Sequence, residues 1–178
     1  MTVHLASSEP RIDACHALAL QVLSDKTLPF QGGLLSETAP VFMAGDLYNT
    51  PWTRDAAFNS WNAGSLLNPE VARNTLLSVL TRERGAVTVG GQYWDAVSWI
   101  VGAWHHYLVT GDRKLLILAY ESTADTLAHF EKTEYEPETG LFMGPPCYGD
   151  GVSAYPEPYN GTGGSPCILD YPGAHDDV

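Results

Sequence analysis

The spacing of hydrophobic positions changes along the chain and predicts where its helices lie. Apolar residues recur at helical intervals over Ile12–Leu23, Asp55–Leu67 and Asp95–Val109, and again from Arg113 to Glu131. None of these stretches contains proline, and each has the length of an ordinary globular helix. The pattern therefore predicts a chain built mainly from helices.

Cap and turn residues indicate how these helices are joined. Asn68 and Pro69 mark a helix start, because asparagine accepts from free backbone N–H groups and proline presets φ. The helix that follows is expected to run through Leu80 and to stop over Arg82–Gly85. Thr110–Asp112 is a tight break between two helical stretches, which is typical of an antiparallel helical hairpin.

Glycine and proline are concentrated in two regions, which predicts loops there. Residues 28–53 favour a loop or short strands, and residues 137–173 hold seven of the twelve prolines. Long aromatic loops on one side of short-turn helix pairs are expected where one end of a helical assembly carries function. We divide the chain into an N-terminal helix and loop region, residues 1–45, and a region of helical hairpins, residues 46–178.

Composition and charge narrow the class of ligand. Of the 178 residues, 44% are hydrophobic and 17% are charged, which is typical of a globular protein rather than a disordered one. The formal net charge of −12 disfavours nucleic acid and anionic membrane surfaces as partners. A neutral or cationic ligand fits this balance better.

Targeting signals and metal motifs are not evident in the sequence. It contains no uncharged apolar stretch of about 18 residues or more, and Met1–Pro10 lacks the layout of a signal peptide. The cysteines, Cys15, Cys147 and Cys167, have no metal-binding spacing, although Cys147 and Cys167 could pair in an oxidising compartment. We expect a cytoplasmic protein without a cofactor or a bound metal.

The first group of candidate site residues precedes and opens the helix over Asp55–Leu67. Arg54 and Asp55 are adjacent, and Trp52 and Tyr48 come shortly before them. A sugar hydroxyl both donates and accepts, so an Arg and an Asp side by side can bind vicinal hydroxyls while Trp covers a C–H face. The alternative is a helix-capping Asp beside a solvated Arg.

Two further groups combine acidic and aromatic residues. Trp94 and Asp95 follow the Gly90-Gly91 turn at the start of a helix, where Asp95 could equally be a cap and the aromatic residues part of the core. Asp150 lies between two glycines in an aromatic segment, a setting that can raise a carboxyl pKa and make it a proton donor. The alternative for Asp150 is a surface turn.

Taken in order, these motifs resemble the six-hairpin glycosidases, which include the glucoamylase-like, glycogen-debranching-like and processing-glucosidase-like families. Trp52–Ala57 is similar to a Trp-x-Arg-Asp segment that holds the non-reducing sugar in glucoamylase relatives. Tyr93–Trp99 leading to Thr110–Asp112 resembles a debranching-type segment. Glu138–Phe142 followed by Gly149–Gly151 is similar to the turn before the acid-bearing loop. The resemblance spans about residues 43–158.

The resemblance implies an all-α fold, an (α/α)6 toroid, and a glycoside hydrolase that acts on an α-linked glucoside or a related small sugar. It implies an exo-acting, inverting enzyme in which Asp150 is the general acid. Glucoamylase itself has a Glu-Glu pair where Asp150 lies, which leaves Glu157 as the alternative acid. The substrate-binding residues implied are Tyr48, Trp52, Arg54, Asp55, Trp94 and Asp95.

Chain length sets a further expectation. Twelve helices of about 11–12 residues each, with functional loops, need well over ~300 residues. We therefore expect this chain to be an incomplete N-terminal part of the toroid, with the catalytic base beyond Val178. Such a part exposes the apolar flanks of its helices, which predicts self-association.

Three alternatives keep the toroid but change the reaction: a phosphorylase, an epimerase or a lyase acting on carbohydrate. Phosphorolysis needs a basic pocket for an anion, which the acidic composition disfavours. A fourth alternative is a helical module that binds sugar without catalysis.

Overall fold

The computed structural model describes residues 5–46, 48–83, 85–91 and 93–142 of the chain. Within these residues, helices and short strands follow one another in a fixed order. They are α1 (Pro10–Asp25), β1 (Thr27–Phe30), β2 (Ala39–Phe42), α2 (Thr53–Asn59), a π-helical turn (Ser60–Gly64), α3 (Ser65–Leu67), α4 (Pro69–Ser78), β3 (Leu80–Glu83), β4 (Ala86–Val89), α5 (Tyr93–Thr110), α6 (Arg113–Thr133), β5 (Tyr135–Glu136) and β6 (Leu141–Phe142).

The expected helix boundaries near Asn68 and Asp112 are confirmed by their cap hydrogen bonds. The Asn68 side chain accepts from the backbone N–H of Val71 at the start of α4. The Asp112 carboxylate accepts from the N–H groups of Lys114 and Leu115, both at 3.0 Å, and so caps α6. These bonds satisfy N–H groups that have no partner within their own helix.

The all-α class predicted from the sequence is wrong. Of the residues that the structure describes, 59% are helical, but they also form three small antiparallel hairpins, which makes the fold mixed α/β rather than an all-α (α/α)6 toroid. The strands pair as β1 with β2, β3 with β4 and β5 with β6. Helical periodicity identified the helices, but it cannot detect strands of only two to four residues.

The β3–β4 hairpin shows why the helical interpretation failed at the end of α4. That helix ends at Ser78, and Leu80 then pairs with Val89 across the hairpin. Val87 and Val89 alternate with less buried neighbours along β4, which is the period of a strand with one buried face. Val79 and Leu80 are buried as expected of core residues, but they reach the core from a turn and a strand.

The core lies between α4, α5, α6 and the β3–β4 hairpin. Trp99 is its largest fully buried side chain, and its indole N–H donates to the backbone carbonyl of Leu76 at 3.0 Å. Leu76 and Leu115 are also fully buried and belong to the same cluster. Truncating a buried Trp to Ala typically costs about 3–5 kcal/mol, so Trp99 is a major source of stability.

The N-terminal region is attached mainly through β2, with Leu23 of α1 also packed against the same cluster. Phe42 is buried against Val71 and Ala72 of α4, and its backbone N–H donates to Thr75 Oγ1 at 2.8 Å. Helix α1, by contrast, has no buried residue. The division at residue 45 stays a prediction.

Helices α2 and α5 approach each other closely, with both N-terminal ends at the same end of the molecule. A Cβ added to Gly102 would lie 2.7 Å from Cα of Ala57, so the α5 backbone contacts α2 with no side chain between them. No described helix is long and apolar enough to cross a membrane.

We predict that Gly102→Ala lowers the free energy of unfolding by about 1–3 kcal/mol, because the added methyl group overpacks the contact with Ala57. This is measured by urea unfolding followed by circular dichroism. Val109→Ala, on the same helix but half exposed, is the control and should change stability by less than about 0.5 kcal/mol. An unchanged stability for Gly102→Ala would contradict the close helix contact.

Candidate functional site

Two exposed aromatic rings lie where the chain enters helix α2. Tyr48 and Trp52 are 52% and 44% exposed, and their rings meet edge to face with centroids 6.2 Å apart. Trp52 is the N-cap residue of α2, and its backbone is extended. An exposed indole supported by a second ring presents a flat apolar surface to a ligand.

Arg54 and Asp95 form an ion pair between the first turns of α2 and α5. Nε of Arg54 lies 3.6 Å from Oδ1 of Asp95. Asp95 is only 3% exposed, whereas a quarter of the Arg54 side chain reaches solvent. A buried carboxylate requires a nearby positive charge to offset its desolvation, and Arg54 supplies one. The exposed part of Arg54 can still donate hydrogen bonds to a ligand.

The loop before α5 holds the two helix starts together. Thr53 Oγ1 donates to the carbonyl of Gly90 at 2.8 Å. Gly91 follows with a φ of 97°, and a Cβ there would lie 2.5 Å from Thr53 Oγ1. Glycine is therefore required at position 91 both for its backbone conformation and for the space. This contact fixes how the first turn of α5 faces Arg54.

Asp55 completes the group of acidic and aromatic residues at this end of the molecule. It follows Arg54 in the first turn of α2 and is half-buried. The alternative in which Asp95 caps α5 is wrong, because the helix begins at Tyr93 and Asp95 lies within its first turn. The structure thus pairs Arg54 with Asp95 and Tyr48 with Trp52, and Asp55 lies in the same first turn of α2 as Arg54.

The side chains of three other predicted site residues fall outside the part of the chain that the structure describes. The side chain of Trp94, the proposed general acid Asp150 and the alternative acid Glu157 lie outside the described residues, so their roles stay predictions. Trp99, a member of the second motif, belongs to the core, where its indole N–H is already bonded to Leu76.

A partly buried polar cluster at the other end of α5 was not predicted from the sequence. His106 Nδ1 lies 2.9 Å from Ser65 Oγ, and Arg73 Nε donates to Asp112 Oδ2 at 2.9 Å. Asp112 is 17 residues from Asp95, which is about 25 Å along a helix, so this cluster is separate from the candidate site. Only the cap role of Asp112 had a local signal, the Thr-Gly-Asp turn.

The hydrogen bonds to Asp112 set its ionisation. Partial burial by itself raises the pKa of Asp112. The opposite effect is larger: the carboxylate accepts hydrogen bonds from the N–H of Leu115, from Arg73 and from the N–H of Lys114, and the positive charge of Arg73 lies close by. The pKa of Asp112 is therefore lowered below 3.8. Asp112 therefore stays ionised at neutral pH, as a helix cap and as the partner of Arg73.

No three His, Cys, Asp or Glu side chains in the described part of the chain come together in a way that could hold a metal ion. The described side chains at the α2–α5 end are carboxylates, a guanidinium group and aromatic rings. Such a set binds polar neutral molecules through hydrogen bonds and ring contacts.

Comparison of the chain with protein-family models, with curated proteins and with solved structures finds no match. The resemblance to the six-hairpin glycosidases therefore depends on the motifs alone.

We predict that His106 makes the protein less stable as the pH falls below about 6.5. Burial lowers the pKa of His106, the charge of Asp112 raises it and that of Arg73 lowers it, with a net value below 6.5. The unfolded chain therefore binds this proton first, and the folded state loses stability until the pH passes the folded-state pKa. For one proton, the free energy of unfolding changes by at most about 1.4 kcal/mol per pH unit.

The measurement is urea unfolding between pH 5 and 7.5, above the range in which Asp112 titrates. His106→Gln should flatten the dependence. His105→Gln is the control, because His105 is half-buried and stacks on Trp61 with ring centroids 4.8 Å apart. Equal pH dependence in the parent protein and in His106→Gln would refute this assignment.

Proposed function

We propose that the protein is a glycoside hydrolase that binds the terminal sugar of an α-linked glucoside or a related small sugar at the meeting ends of α2 and α5. The observation that carries the proposal is the Arg54–Asp95 ion pair at the start of α2, where the N-cap residue, Trp52, has an exposed ring. These residues come from two motifs that are distant in sequence.

The chemistry of the group suits a sugar. A pyranose has hydroxyl groups that donate and accept around its edge and C–H groups on its faces. Arg54 donates, the carboxylate of Asp55 accepts, and Trp52 supplies a ring for the C–H face. Asp95 is buried and acts through Arg54, whose guanidinium group it holds in place. Tyr48 supports that ring at 6.2 Å, and Trp94 is included on its sequence position.

The hydrolytic step is assigned from the motif resemblance. Asp150, flanked by glycines, gives its proton to the glycosidic oxygen as the bond to the anomeric carbon breaks. A water molecule attacks that carbon from the opposite face and loses a proton to a second carboxylate. Inversion requires the two carboxyl groups to be about 6.5–9.5 Å apart. Glu157 is the alternative proton donor.

A sugar-binding module without catalysis is the second candidate. The feature in its favour is that Asp95 is buried and engaged by Arg54, which suits a group that positions Arg54 better than a group that transfers a proton. The net charge of −12 argues against phosphorolysis. A cytoplasmic location stays a prediction, and the proposed hydrolysis needs no cofactor.

We predict that the chain binds methyl α-glucoside or maltose and that Trp52→Ala and Arg54→Lys each weaken binding about tenfold or more, which corresponds to ~1.4 kcal/mol. Trp52→Ala removes the ring surface, and lysine cannot reproduce the planar fork of arginine. Isothermal titration calorimetry measures the dissociation constants.

Trp61→Ala is the matched control for Trp52→Ala. Trp61 belongs to the same helical segment and is 42% exposed, close to the 44% of Trp52. Its replacement should leave sugar affinity unchanged. Equal losses for both tryptophan variants, or no binding of either sugar, would overturn the assignment of the site.

We predict that Asp150→Asn lowers kcat for maltose by about 10²–10⁴-fold, the usual contribution of a general acid. Hydrolysis of α-glucosyl fluoride should be nearly unaffected, because fluoride leaves without needing a proton. The same selective loss in Glu157→Gln would identify Glu157 as the donor. Sugar binding without cleavage of either substrate would instead favour the binding module.

A further inference from the structure

Helix α5 presents an apolar outer face that no other described element covers. Val97, Val101, Trp104 and Leu108 form this face, and they are between 39% and 56% exposed. The opposite side of the helix carries the buried residues Ala96, Trp99 and Ala103. Apolar side chains of this size, aligned over three helical turns, are unusual on a solvated surface.

The outer face of α5 is also free of charge. Among the Asp, Glu, Lys and Arg residues of the chain, Asp95 is the only one in α5, and it is buried beside Arg54. The whole chain has a formal net charge of −12, so most surfaces of two copies repel each other. The outer face of α5 is a surface at which two copies can meet without bringing carboxylates together.

The spacing of the four residues fits a two-fold axis. They are separated by four, three and four positions, which is the spacing of a coiled-coil seam. This order reads the same in both directions, so an antiparallel copy presents a matching row. Val101 then faces Trp104 of a second copy, and Val97 faces Leu108, as the reciprocal contacts of a two-fold interface require.

We propose that a second copy of this chain covers the outer face of α5 and that the two α5 helices pair antiparallel in a symmetric dimer. The apolar surface continues onto α2, because His105 stacks on Trp61 and the Trp61 ring lies 6.2 Å from that of Phe58. The exposed surface of these side chains and of the outer face of α5 adds up to roughly 500–600 Å² per copy, which is near the lower end of the area buried in a specific interface.

Helix α6 provides the comparison that favours α5. Its outer side also has exposed apolar residues, Ile117, Tyr120 and Leu127, but Glu121 and Asp125 lie among them and are exposed. Pairing two such faces would place carboxylates of both copies close together, which is destabilising. The absence of such charges on α5 selects it as the dimer surface.

Multi-angle light scattering and sedimentation velocity on the full chain test this proposal. We expect a species of twice the 19.3 kDa chain mass. Val101→Glu should convert it to a monomer with an unchanged circular dichroism spectrum, because Val101 is exposed in the monomer. Ile117→Glu, on the outer side of α6, is the matched control and should remain dimeric.

Cross-linking tests the antiparallel register. In a background with serine at Cys15, Cys147 and Cys167, a mixture of Val97→Cys and Leu108→Cys chains should form disulfide-linked pairs on mild oxidation. Neither variant alone should do so, because identical positions would be about 16 Å apart along the helix axis. Linkage of Val97→Cys to itself would overturn the antiparallel arrangement.

The dimer is refuted by a monomer at every concentration up to about 0.5 mM, where even an interface with a dissociation constant of about 0.1 mM would be populated. It is also refuted if Ile117→Glu dissociates the complex and Val101→Glu does not. Either result would assign the outer face of α5 to another occupant, such as a further segment of the same polypeptide or a different protein.

Discussion

The contact between α2 and α5 is the packing interaction on which the candidate site depends. It combines the absence of a side chain at Gly102, which allows the backbone of α5 to reach Ala57, with the Thr53–Gly90 hydrogen bond at the helix starts. A helix that shifts by one residue rotates by about 100° and moves by ~1.5 Å. Such a shift would separate Asp95 from Arg54. The position of the ion pair therefore depends on the steric fit of the two helices.

Helix α5 carries three kinds of surface because its faces have different compositions. Its inner face supplies Trp99 to the core, its first turn supplies Asp95 to the candidate site, and its outer face carries uncharged apolar side chains. In a strongly acidic chain, concentrating charge away from one helix leaves a surface suited to protein contact. The proposed sugar site and the proposed dimer surface therefore follow from the same distribution of charge, although each is tested independently.

Ser65, His106 and Asp112 include the residue types of a hydrolytic triad, but their surroundings do not fit nucleophilic catalysis. Ser65 and His106 are 2% and 1% exposed, so a substrate cannot reach the hydroxyl group. Asp112 is bonded to Arg73 and to the first turn of α6. The cluster links α3 to α5 and α4 to the start of α6, which makes it a structural feature.

The sequence by itself determined the features that depend on neighbouring residues. The helical periods, the Asn68 cap and the break at Thr110–Asp112 were predicted because each arises from contacts within a few positions. Short strands were among the possibilities predicted for residues 28–53, where β1 and β2 lie. The β3–β4 hairpin was missed, since Leu80 and Val89 become partners only when the chain folds back. Tertiary structure alone decided that Arg54 meets Asp95, that Trp99 is core and that Val101 and Trp104 stay exposed. A periodic pattern reports which face of a helix is apolar, but which neighbour covers that face is set by contacts between residues distant in sequence.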